Sequence, residues 1–401
     1  MLKLSERIQR VAPSPTLAIT ARAKAMKAAG VDIISFGAGE PDFDTPEIIS
    51  REAIEAIKTG KTRYTPASGI RELRQAVAAD YALRDRQVTA EEVIITVGGK
   101  QALYNATQVL FEAGDPVIIP APYWVSYPAQ LHLAGAEPIF VSTTAEEDFK
   151  LTAETLQKTI EAEGARGLIL CSPSNPTGAT YTAQELAALG EVIQAHPDFV
   201  VFFDAMYDRL YFDGPVAPDL VAQTPAIAEQ VLTFNGFSKT YSMTGWRLGY
   251  AIGPREVIQA MGTLQSQSTS NTTSFVQYGG LKALELDDEI LETRRQAFQR
   301  RRDLIVAALN EIDGVFCPTP SGAFYVFPDF SAYLQQEEGG PGFVDDLAMT
   351  DYLLTEANVA VVPGSAFGSP GGLRLSYAME DEVIAAGVAR IKAALKGRLP
   401  G

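Results

Sequence analysis

The chain has 401 residues, of which 46% are hydrophobic and 20% charged, and a formal net charge of −16 at pH 7. This length predicts about two domains, and the composition is typical of a globular protein rather than a disordered or fibrous one. The acidic balance argues against nucleic acid or an anionic membrane as a partner.

The sequence shows neither an export signal nor a metal-ligand pattern. Apolar runs stay well below the roughly 18 residues of a transmembrane helix, and the charged start MLKLSERIQRVAPSP is broken by prolines. We therefore expect a cytoplasmic protein. Cys171 and Cys317 lie far apart in apolar surroundings, and His132 and His196 have no ligand spacing, so we expect buried thiols and no metal site.

The first elements lead into an irregular loop. Spaced apolar positions over residues 16–29 predict a short amphipathic helix, and Ile33–Phe36 predicts a strand. The run GAGEPDFDTPE, residues 37–47, then predicts a loop before a helix. Thr45 would cap that helix, with Pro46 at its first position.

The next unit has the strand–glycine–helix pattern of an anion site. EVIITVGGKQALYNATQVLF predicts a strand over Val93–Val97, a diglycine turn and a helix. Such a turn points backbone N–H groups and the positive end of the helix dipole at an anion. The pattern is weak by itself, but with the lysine and arginine described below it predicts a phosphate cradle of Gly98, Gly99 and Lys100.

Three turn-rich segments have an ordinary structural interpretation when taken alone. In KTRYTPASG, Tyr64 would be a half-buried aromatic residue, and in APYWVSYP, Trp124 would belong to the core. GLILCSPSNPTG predicts a buried strand followed by a turn that Asn175-Pro176 initiates.

A fourth segment ends in an acid. DFVVFFDAMYDRLYFDG predicts a buried parallel strand that finishes at Asp204, with Tyr207 three residues later. Ligands of open α/β sheets bind at the carboxyl ends of the strands. The Asp204 carboxylate is therefore placed to meet a ligand.

The run FNGFSKTYSMTGWRLGY, residues 234–250, is the strongest functional signal. Lys239 and its neighbour Ser238 follow a predicted strand, and Arg247 comes eight residues after the lysine. An isolated lysine is usually a surface residue. This grouping instead suits a cofactor with an aldehyde and a phosphate, because the amine forms a Schiff base and the guanidinium binds the phosphate.

The last third of the chain predicts a long helix. SQSTSNTTS, residues 266–274, fits either a capping region or a loop, and residues 287–314 predict one continuous helix. We expect the arginines between Arg294 and Arg302 to form a solvated, ion-paired face. QQEEGGPG, residues 335–342, is expected to be a mobile surface segment.

Short strands alternate with helices beyond Gly322, over Ala323–Phe327, Val359–Val362 and Leu373–Ser376. Arg374 lies among apolar neighbours in the last of these strands. An unpaired buried arginine is costly, so Arg374 needs an anion, which a substrate carboxylate would supply.

GFSKTYSMTGWRLG resembles the lysine signature of fold-type I pyridoxal-phosphate enzymes, specifically the class I and II aminotransferases, and VGGKQAL, PYWVSYP and SPSNPTG follow the family order. The resemblance covers essentially the whole chain and is closest to the prokaryotic aspartate-specific subgroup. It implies an α/β fold with a mostly parallel seven-stranded sheet between helices in a large domain, residues 45–286. Residues 1–44 and 287–401 would form a smaller α/β domain. Pyridoxal 5′-phosphate would be the cofactor, in a homodimer with shared active sites.

The resemblance also implies roles for single residues. Gly39 would contact substrate through its backbone, and Tyr64 would cross the dimer interface to the neighbour's cofactor phosphate. Trp124 would stack on the pyridine ring, where it also borders the substrate. Asn175 would contact both the phenolic oxygen of the cofactor and the substrate carboxylate, and Arg374 would clamp that carboxylate.

The catalytic group would comprise Lys239, Asp204 and Tyr207. Lys239, freed by the incoming amino acid, would move the α-proton, while Asp204 keeps the pyridine nitrogen protonated. Tyr207 would hydrogen-bond the phenolic oxygen. Ser238 would join Arg247 in binding the cofactor. The family usually has Asp-Glu-x-Tyr where this chain has Asp-Ala-Met-Tyr, which retains both functional positions but changes the local packing.

Substrate choice depends on Lys100. In the subgroup that the chain resembles, this lysine binds the distal carboxylate of the substrate, which favours aspartate with 2-oxoglutarate. The resemblance implies a ping-pong reaction of amino acids and 2-oxo acids. Alternatively, Lys100 only completes the phosphate cradle. Prephenate or another aromatic acceptor, and alanine, remain alternatives. The family often has a basic residue at the position of Ala12, which argues against prephenate. A pyridoxal-phosphate lyase and an amino-acid sensor are the rivals from other classes.

Overall fold

The computed structural model describes residues 2–13, 15–335 and 340–399. The helices, in chain order, are α1 Glu6–Gln9, α2 Pro15–Ala28, α3 Glu47–Lys58, α4 Arg71–Ala82, α5 Gly99–Leu110, α6 Ser126–Ala134, α7 Ala153–Glu163, α8 Ala183–Gln194, α9 Leu220–Gln223, α10 Arg255–Ser268, α11 Ser274–Leu284, α12 Asp288–Asn310, α13 Asp346–Glu356 and α14 Asp381–Leu395. The strands are β1 Ile34–Ser35, β2 Val93–Thr96, β3 Pro116–Ala121, β4 Glu137–Ser142, β5 Gly167–Cys171, β6 Val200–Asp204, β7 Val231–Gly236, β8 Gly249–Ile252, β9 Tyr325–Val326, β10 Val359–Ala360, β11 Val362–Pro363 and β12 Leu373–Ser376.

Strands β2 to β8 form one seven-stranded sheet in the order β2-β8-β7-β6-β5-β3-β4. β8 is antiparallel to both of its neighbours, and the other pairs are parallel. The apolar runs of β5, β6 and β7 are continuous because both faces of the sheet are covered. In β6, Val201 and Phe203 pack toward α7 and α8, whereas Phe202 packs toward α5, α6 and α10. The prediction of a mostly parallel seven-stranded α/β sheet is confirmed.

A second core lies where the start and the end of the chain meet. β1 pairs in parallel with β10, with Ile34 opposite Val359. β9, β11 and β12 form a three-stranded antiparallel sheet in the order β11-β12-β9. The apolar faces of α12 and α14 pack on these strands around Phe298 and Phe324. This arrangement brings the loop of residues 37–47 against α12.

The prediction that the arginines of α12 form a solvated face was wrong for Arg301. Its residue exposure is only 3%, and its guanidinium donates two hydrogen bonds of 2.8 Å to the Asp42 carboxylate. Arg294 donates to the main-chain oxygen of Asp44 at 2.7 Å. Phe43, between the two acids, lies against both guanidiniums, whose central carbons are each 5.2 Å from its ring centre, and it packs edge-on against Phe298 at 5.5 Å. Ionic contacts therefore hold the loop of residues 37–47 against the long helix.

The predicted cap of α3 was also wrong. Pro46 occupies the cap position, the helix begins at Glu47, and Thr45 makes no capping hydrogen bond. The Thr45 hydroxyl instead donates to the main-chain oxygen of Ser242 at 2.6 Å and accepts from Nε1 of Trp246 at 3.1 Å. Thr45 thus joins the loop to the segment that carries the candidate lysine.

Three further expectations have separate outcomes. Residues 266–268 continue α10, and residues 269–273 form a connection before α11. Residues 336–339 of the segment predicted to be mobile lie outside the described residues. Within the described ranges, no helix is both long and apolar enough to span a bilayer.

Candidate active site

The strand directions gather the predicted residues at one edge of the large sheet. β2, β5, β6 and β7 point the same way, so the segments that follow them meet at their carboxyl ends. These segments carry Gly98, Asn175 and Lys239, and Asp204 is the last residue of β6 itself. β8 enters the sheet from that edge, which places Arg247 beside them, two residues before its first residue. Long-range strand pairing therefore builds a single cleft from four separate segments, since Lys239 and Arg247 share the connection between β7 and β8.

The diglycine turn and Arg247 form an anion cradle. Gly98 precedes α5 with φ 81° and ψ 161°, a conformation that glycine adopts without strain. A Cβ added there would lie 2.6 Å from Nη2 of Arg247, so a larger residue would displace the guanidinium. The first turn of the twelve-residue helix α5 supplies free N–H groups at the same place. The combined charge of the helix end and guanidinium suits a phosphate.

Lys239 lies three residues beyond the end of β7, with its side chain inside the cleft. Its Nζ donates a hydrogen bond to the main-chain oxygen of Gly39. Burial lowers the pKa of Lys239 to about 8. Glu40 opposes this shift, whereas three other cations in the cleft reinforce it: Arg374, Arg247 and Lys100. A large fraction of the amine is therefore neutral and nucleophilic near pH 8.

Asp204 is the last residue of β6 and is buried. Its Oδ2 accepts a hydrogen bond of 2.7 Å from the Tyr127 hydroxyl, and its Oδ1 accepts one of 3.1 Å from the N–H of Met206. Burial raises the pKa of Asp204 to about 6, although these two donors and Lys239 stabilise the ionised form. A buried carboxylate of this kind is stabilised further by a cationic partner such as a protonated ring nitrogen.

Arg374 is an almost completely buried arginine, with 2% exposure. Nη1 donates to Oδ1 of Asn175 at 3.1 Å, Nη2 donates to the main-chain oxygen of Gly37 at 2.9 Å, and Nε has no partner among the described residues. Burial lowers the pKa of this guanidinium. Its donors are thus held in place, and none of the carboxylates in the described ranges forms an ion pair with it.

Two aromatic groups complete the cleft. The hydroxyls of Tyr207 and Tyr325 lie 3.0 Å apart, and both side chains are buried. On the other side, Nζ of Lys100 lies 4.7 Å from the centre of the Trp124 ring. Burial, with Arg247 nearby, lowers the pKa of Lys100. The Trp124 ring packs edge-on against Tyr127 at 5.4 Å, which connects this side of the cleft to the partner of Asp204.

The cleft concentrates unbalanced positive charge in an acidic protein. None of the ion pairs in the described part of the chain includes one of its four cations: Lys100, Lys239, Arg247 and Arg374. By contrast, the two other buried arginines among the described residues, Arg86 and Arg301, pair with Asp219 and Asp42. The cleft therefore suits a ligand, or a pair of ligands, with several negative charges.

Comparisons with known proteins agree with this geometry. The profile described as "Aminotransferase class I and II" matches residues 31–391. The chain belongs to this family. An aspartate/prephenate aminotransferase of Cereibacter sphaeroides is 49% identical over 99% of this chain and 100% of its own, and an aspartate aminotransferase of Bacillus subtilis is 44% identical over 98% of each.

Solved structures of aminotransferases share the whole fold. The aspartate aminotransferase of Rhizobium meliloti is 41% identical, with a TM-score of 0.93 over 99% of both chains. That of Thermus thermophilus with maleate is 41% identical, with a TM-score of 0.91 over 98% of this chain and 100% of its own. This aminotransferase therefore has the fold of a pyridoxal-phosphate-dependent enzyme, and its family uses amino acids and 2-oxo acids as substrates.

The residues of this aminotransferase fit pyridoxal 5′-phosphate. The cradle at Gly98 would be filled by a Cβ and faces a guanidinium that has no carboxylate among the described residues. A lysine with a lowered pKa and a buried acid lie in the same cleft. These features match the phosphate, the aldehyde and the ring nitrogen of the cofactor in turn.

The aminotransferase structure brings most of the predicted residues together, but not Tyr64. Gly99 and Ser238 are buried beside the cradle and the lysine, and a Cβ on Gly39 would lie 3.1 Å from the Tyr325 hydroxyl. Tyr64 is 90% exposed, so the half-buried interpretation was wrong. The loop of residues 61–69 holds its side chain away from the protein surface of its own chain.

Sequence reasoning missed two tyrosines of this aminotransferase site. Tyr127 is the second residue of α6 and lies three residues after Trp124, which precedes the helix; its N–H donates to the main-chain oxygen of Trp124 at 3.0 Å, and this turn brings the two rings together. Tyr325 lies inside the apolar run GAFYVF, where a tyrosine is ordinarily read as core. The spacing from Trp124 was the available signal for Tyr127, whereas Tyr325 needed the pairing of β9 with β12.

Proposed function

We propose that this protein is an aspartate aminotransferase that exchanges amino groups between aspartate and 2-oxoglutarate. The observation that carries the proposal is a pair of cations, Arg374 and Lys100, that have no carboxylate partner among the described residues and line the cleft that holds Lys239. An amino acid with two carboxylates would neutralise both cations. The names of the relatives from Cereibacter sphaeroides and Bacillus subtilis support the same substrate.

In the proposed mechanism, the chain's own groups hold the cofactor at several points. Gly98, Gly99, Ser238 and Arg247 would bind its phosphate, and Trp124 would stack on its ring. Asp204 would keep the ring nitrogen protonated, while Tyr207 and Asn175 would hold the phenolic oxygen. When bound through Lys239, the cofactor supplies an electron sink that makes the substrate α-carbon acidic.

Substrate residues act on the amino acid itself. Arg374 would bind the α-carboxylate, with the backbone of Gly39 alongside, and Lys100 the distal carboxylate. The Lys239 amine, freed by the incoming amino group, would accept the α-proton, because its lowered pKa keeps it neutral in a useful fraction of molecules. The first oxo acid would leave before the second binds, which is a ping-pong scheme.

The proposed division of the chain assigns residues 45–286 to the cofactor domain and residues 1–44 with 287–401 to the smaller one. The pairing of β1 with β10 supports joining the two ends of the chain. Under this division, Arg294 of α12 would join the two domains, since it donates a hydrogen bond of 3.0 Å to the Ser242 hydroxyl. A cytoplasmic location remains part of the same proposal.

The substrate proposal is tested with a panel of amino donors, measured with Lys100→Met beside the wild type. Methionine keeps the apolar stem over Trp124 and removes the charge. We expect kcat/KM for aspartate to fall about 10- to 100-fold, since a charged hydrogen bond contributes about 1.5–3 kcal/mol. The value for alanine should stay within about threefold.

Lys158→Met is the matched control. Lys158 is an exposed helical lysine paired with Glu154 at 2.6 Å, outside the cleft. Equal losses on alanine and aspartate in Lys100→Met would remove Lys100 from substrate recognition.

The same panel separates an aminotransferase from its rivals of other classes. With a lyase, aspartate would not convert the cofactor to its amino form. With a sensor, no product would accumulate.

A second candidate acceptor, prephenate, is favoured by the name of the Cereibacter sphaeroides relative. Ala12 argues against it, since this small exposed residue adds no positive charge. Including prephenate in the acceptor panel separates the two functions. The proposal requires a higher kcat/KM for 2-oxoglutarate than for prephenate.

A homodimer with shared sites is the proposed assembly, supported by the 90% exposure of Tyr64. Tyr64→Phe is expected to raise the Kd of the cofactor about 10-fold by removing a hydrogen bond to a phosphate charge. Hybrid dimers of Tyr64→Phe and Lys239→Ala chains give the decisive measurement. If Tyr64 acts across the interface, the site that keeps Lys239 receives an intact Tyr64 and regains wild-type affinity; weak binding in the hybrid would assign Tyr64 to its own chain.

A further inference from the structure

Tyr325 lies in the three-stranded sheet, outside the large sheet, and is close to three of the predicted site residues. It lies on β9, where it pairs with Ser376, two residues beyond Arg374 on β12. Its side chain is 1% exposed, and its ring centre lies 4.7 Å from the Arg374 guanidinium carbon. Its hydroxyl lies 3.0 Å from that of Tyr207. The same hydroxyl would be 3.1 Å from a Cβ on Gly39.

We propose that Tyr325 is a positioning residue that connects the carboxylate clamp at Arg374 to the phenol of Tyr207. This inference rests on the proposed function. The ring of Tyr325 supports the flat face of the Arg374 guanidinium, which leaves the donors at the edge of the guanidinium directed at the substrate. The hydroxyl of Tyr325 sets the direction of the hydrogen bond at Tyr207.

The number of hydroxyl protons sets the direction of the hydrogen bond between Tyr207 and Tyr325. The Tyr207 hydroxyl has one proton, and holding the phenolic oxygen of the cofactor requires donating it. Within the described residues, the hydroxyl of Tyr207 has its hydrogen bond to Tyr325, so it then accepts the proton of Tyr325. A hydroxyl that accepts a hydrogen bond becomes a stronger donor. Tyr325 would thus help Tyr207 to stabilise negative charge on that oxygen, which would lower the pKa of the nitrogen that joins Lys239 to the cofactor.

Tyr325→Phe tests the hydroxyl alone, because phenylalanine keeps the ring beneath Arg374. In the loaded enzyme without substrate, the apparent pKa read from the cofactor absorbance should rise by about half a unit to one unit. The Kd of succinate, measured by calorimetry as a dicarboxylate probe, should stay within about twofold of the wild-type value.

Tyr325→Leu removes the ring as well. We expect the Kd of succinate to rise about 2- to 30-fold, the range for loss of a cation–π contact, together with the same rise in the apparent pKa. Circular dichroism and the unfolding midpoint of each variant establish that it is folded. A leucine variant with an unchanged succinate Kd would overturn the support of Arg374 by this ring.

Tyr377→Phe is the matched control. Tyr377 is another fully buried tyrosine, directly after β12, and its hydroxyl donates to the main-chain oxygen of Ala323 at 3.2 Å rather than to a predicted site residue. This variant should change neither quantity. If the wild type transaminates aspartate, an unchanged apparent pKa in Tyr325→Phe, or an equal rise in Tyr377→Phe, would overturn the inference. A wild type that never binds the cofactor covalently would refute the proposed function itself.

Discussion

Replacing Lys239 with alanine is expected to abolish transamination, lowering kcat by at least about 10,000-fold, since proton transfer by a positioned base alone contributes up to about that factor. The covalent attachment of the cofactor is lost with the same amine. The fold should survive, because the substitution removes a buried charge that burial disfavours, as the lowered pKa of about 8 shows. Steady-state rates and the absorbance change on adding aspartate measure the effect.

Lys239→Arg tests whether turnover requires the reactive amine of Lys239 or only its positive charge. Arginine keeps the positive charge in the cleft but stays protonated, so it forms no Schiff base and accepts no proton. Its activity should be as low as that of the alanine variant. Borohydride treatment of the loaded wild type should attach the cofactor at position 239 and at no other lysine. Turnover within about 100-fold of the wild type in either variant would contradict the assignment.

The pH dependence of loading provides an independent measurement on the wild type. The neutral amine is the nucleophile, and the folded-state pKa of Lys239 is lowered to about 8. The rate of covalent loading should therefore rise as the pH increases through about 8 and level off above it. A rate that keeps rising toward pH 10, the range of an ordinary lysine, would show that the amine is not buried in the protein that binds the cofactor.

The sequence predicted the parts of the site that depend on short-range patterns. Gly98 was found from a diglycine turn between a strand and a helix, and Arg374 from a charge in an apolar strand. The meeting of Gly98 with Arg247 in the cradle depends on the order β2-β8-β7, in which Thr96 pairs with Gly249. Nothing in the local pattern states that pairing, so the resemblance to a family supplied it.

The residues that sequence reasoning missed have polar atoms whose partners are distant in the chain. Tyr127 meets Asp204 across 77 positions, and Tyr325 meets Tyr207 across 118. In an apolar run, a tyrosine that only fills space has the same pattern as one whose hydroxyl binds an acid. Arg301 was misplaced for the same reason, since its partner Asp42 lies 259 positions away. Hydrophobic periodicity predicts which face is buried, but the pairs within that face depend on the tertiary fold.

The second large loss of activity is expected when Arg374 is replaced. Arg374→Ala is expected to lower kcat/KM by a similar factor for every amino acid, about 30- to 5,000-fold, because truncating one partner of a buried charge pair costs about 2–5 kcal/mol. The loss should be general, since all amino acids share the α-carboxylate. Measurements with aspartate, glutamate and alanine test this uniformity, and a loss confined to aspartate and glutamate would move Arg374 to the distal carboxylate.

Two further arginine variants separate recognition from stability. Arg374→Lys keeps one charge but loses the two-pronged geometry, so its kcat/KM should fall between those of the wild type and the alanine variant. Arg86 is a buried arginine that has its own acid, Asp219, at 3.1 Å, and it also donates to Thr233 at 2.6 Å. Arg86→Ala should reduce the free energy of unfolding by about 3–5 kcal/mol and leave KM within about twofold, because the charge left behind belongs to the protein. In Arg374→Ala the unpaired charge belongs to the substrate, so the cost appears in KM rather than in folding.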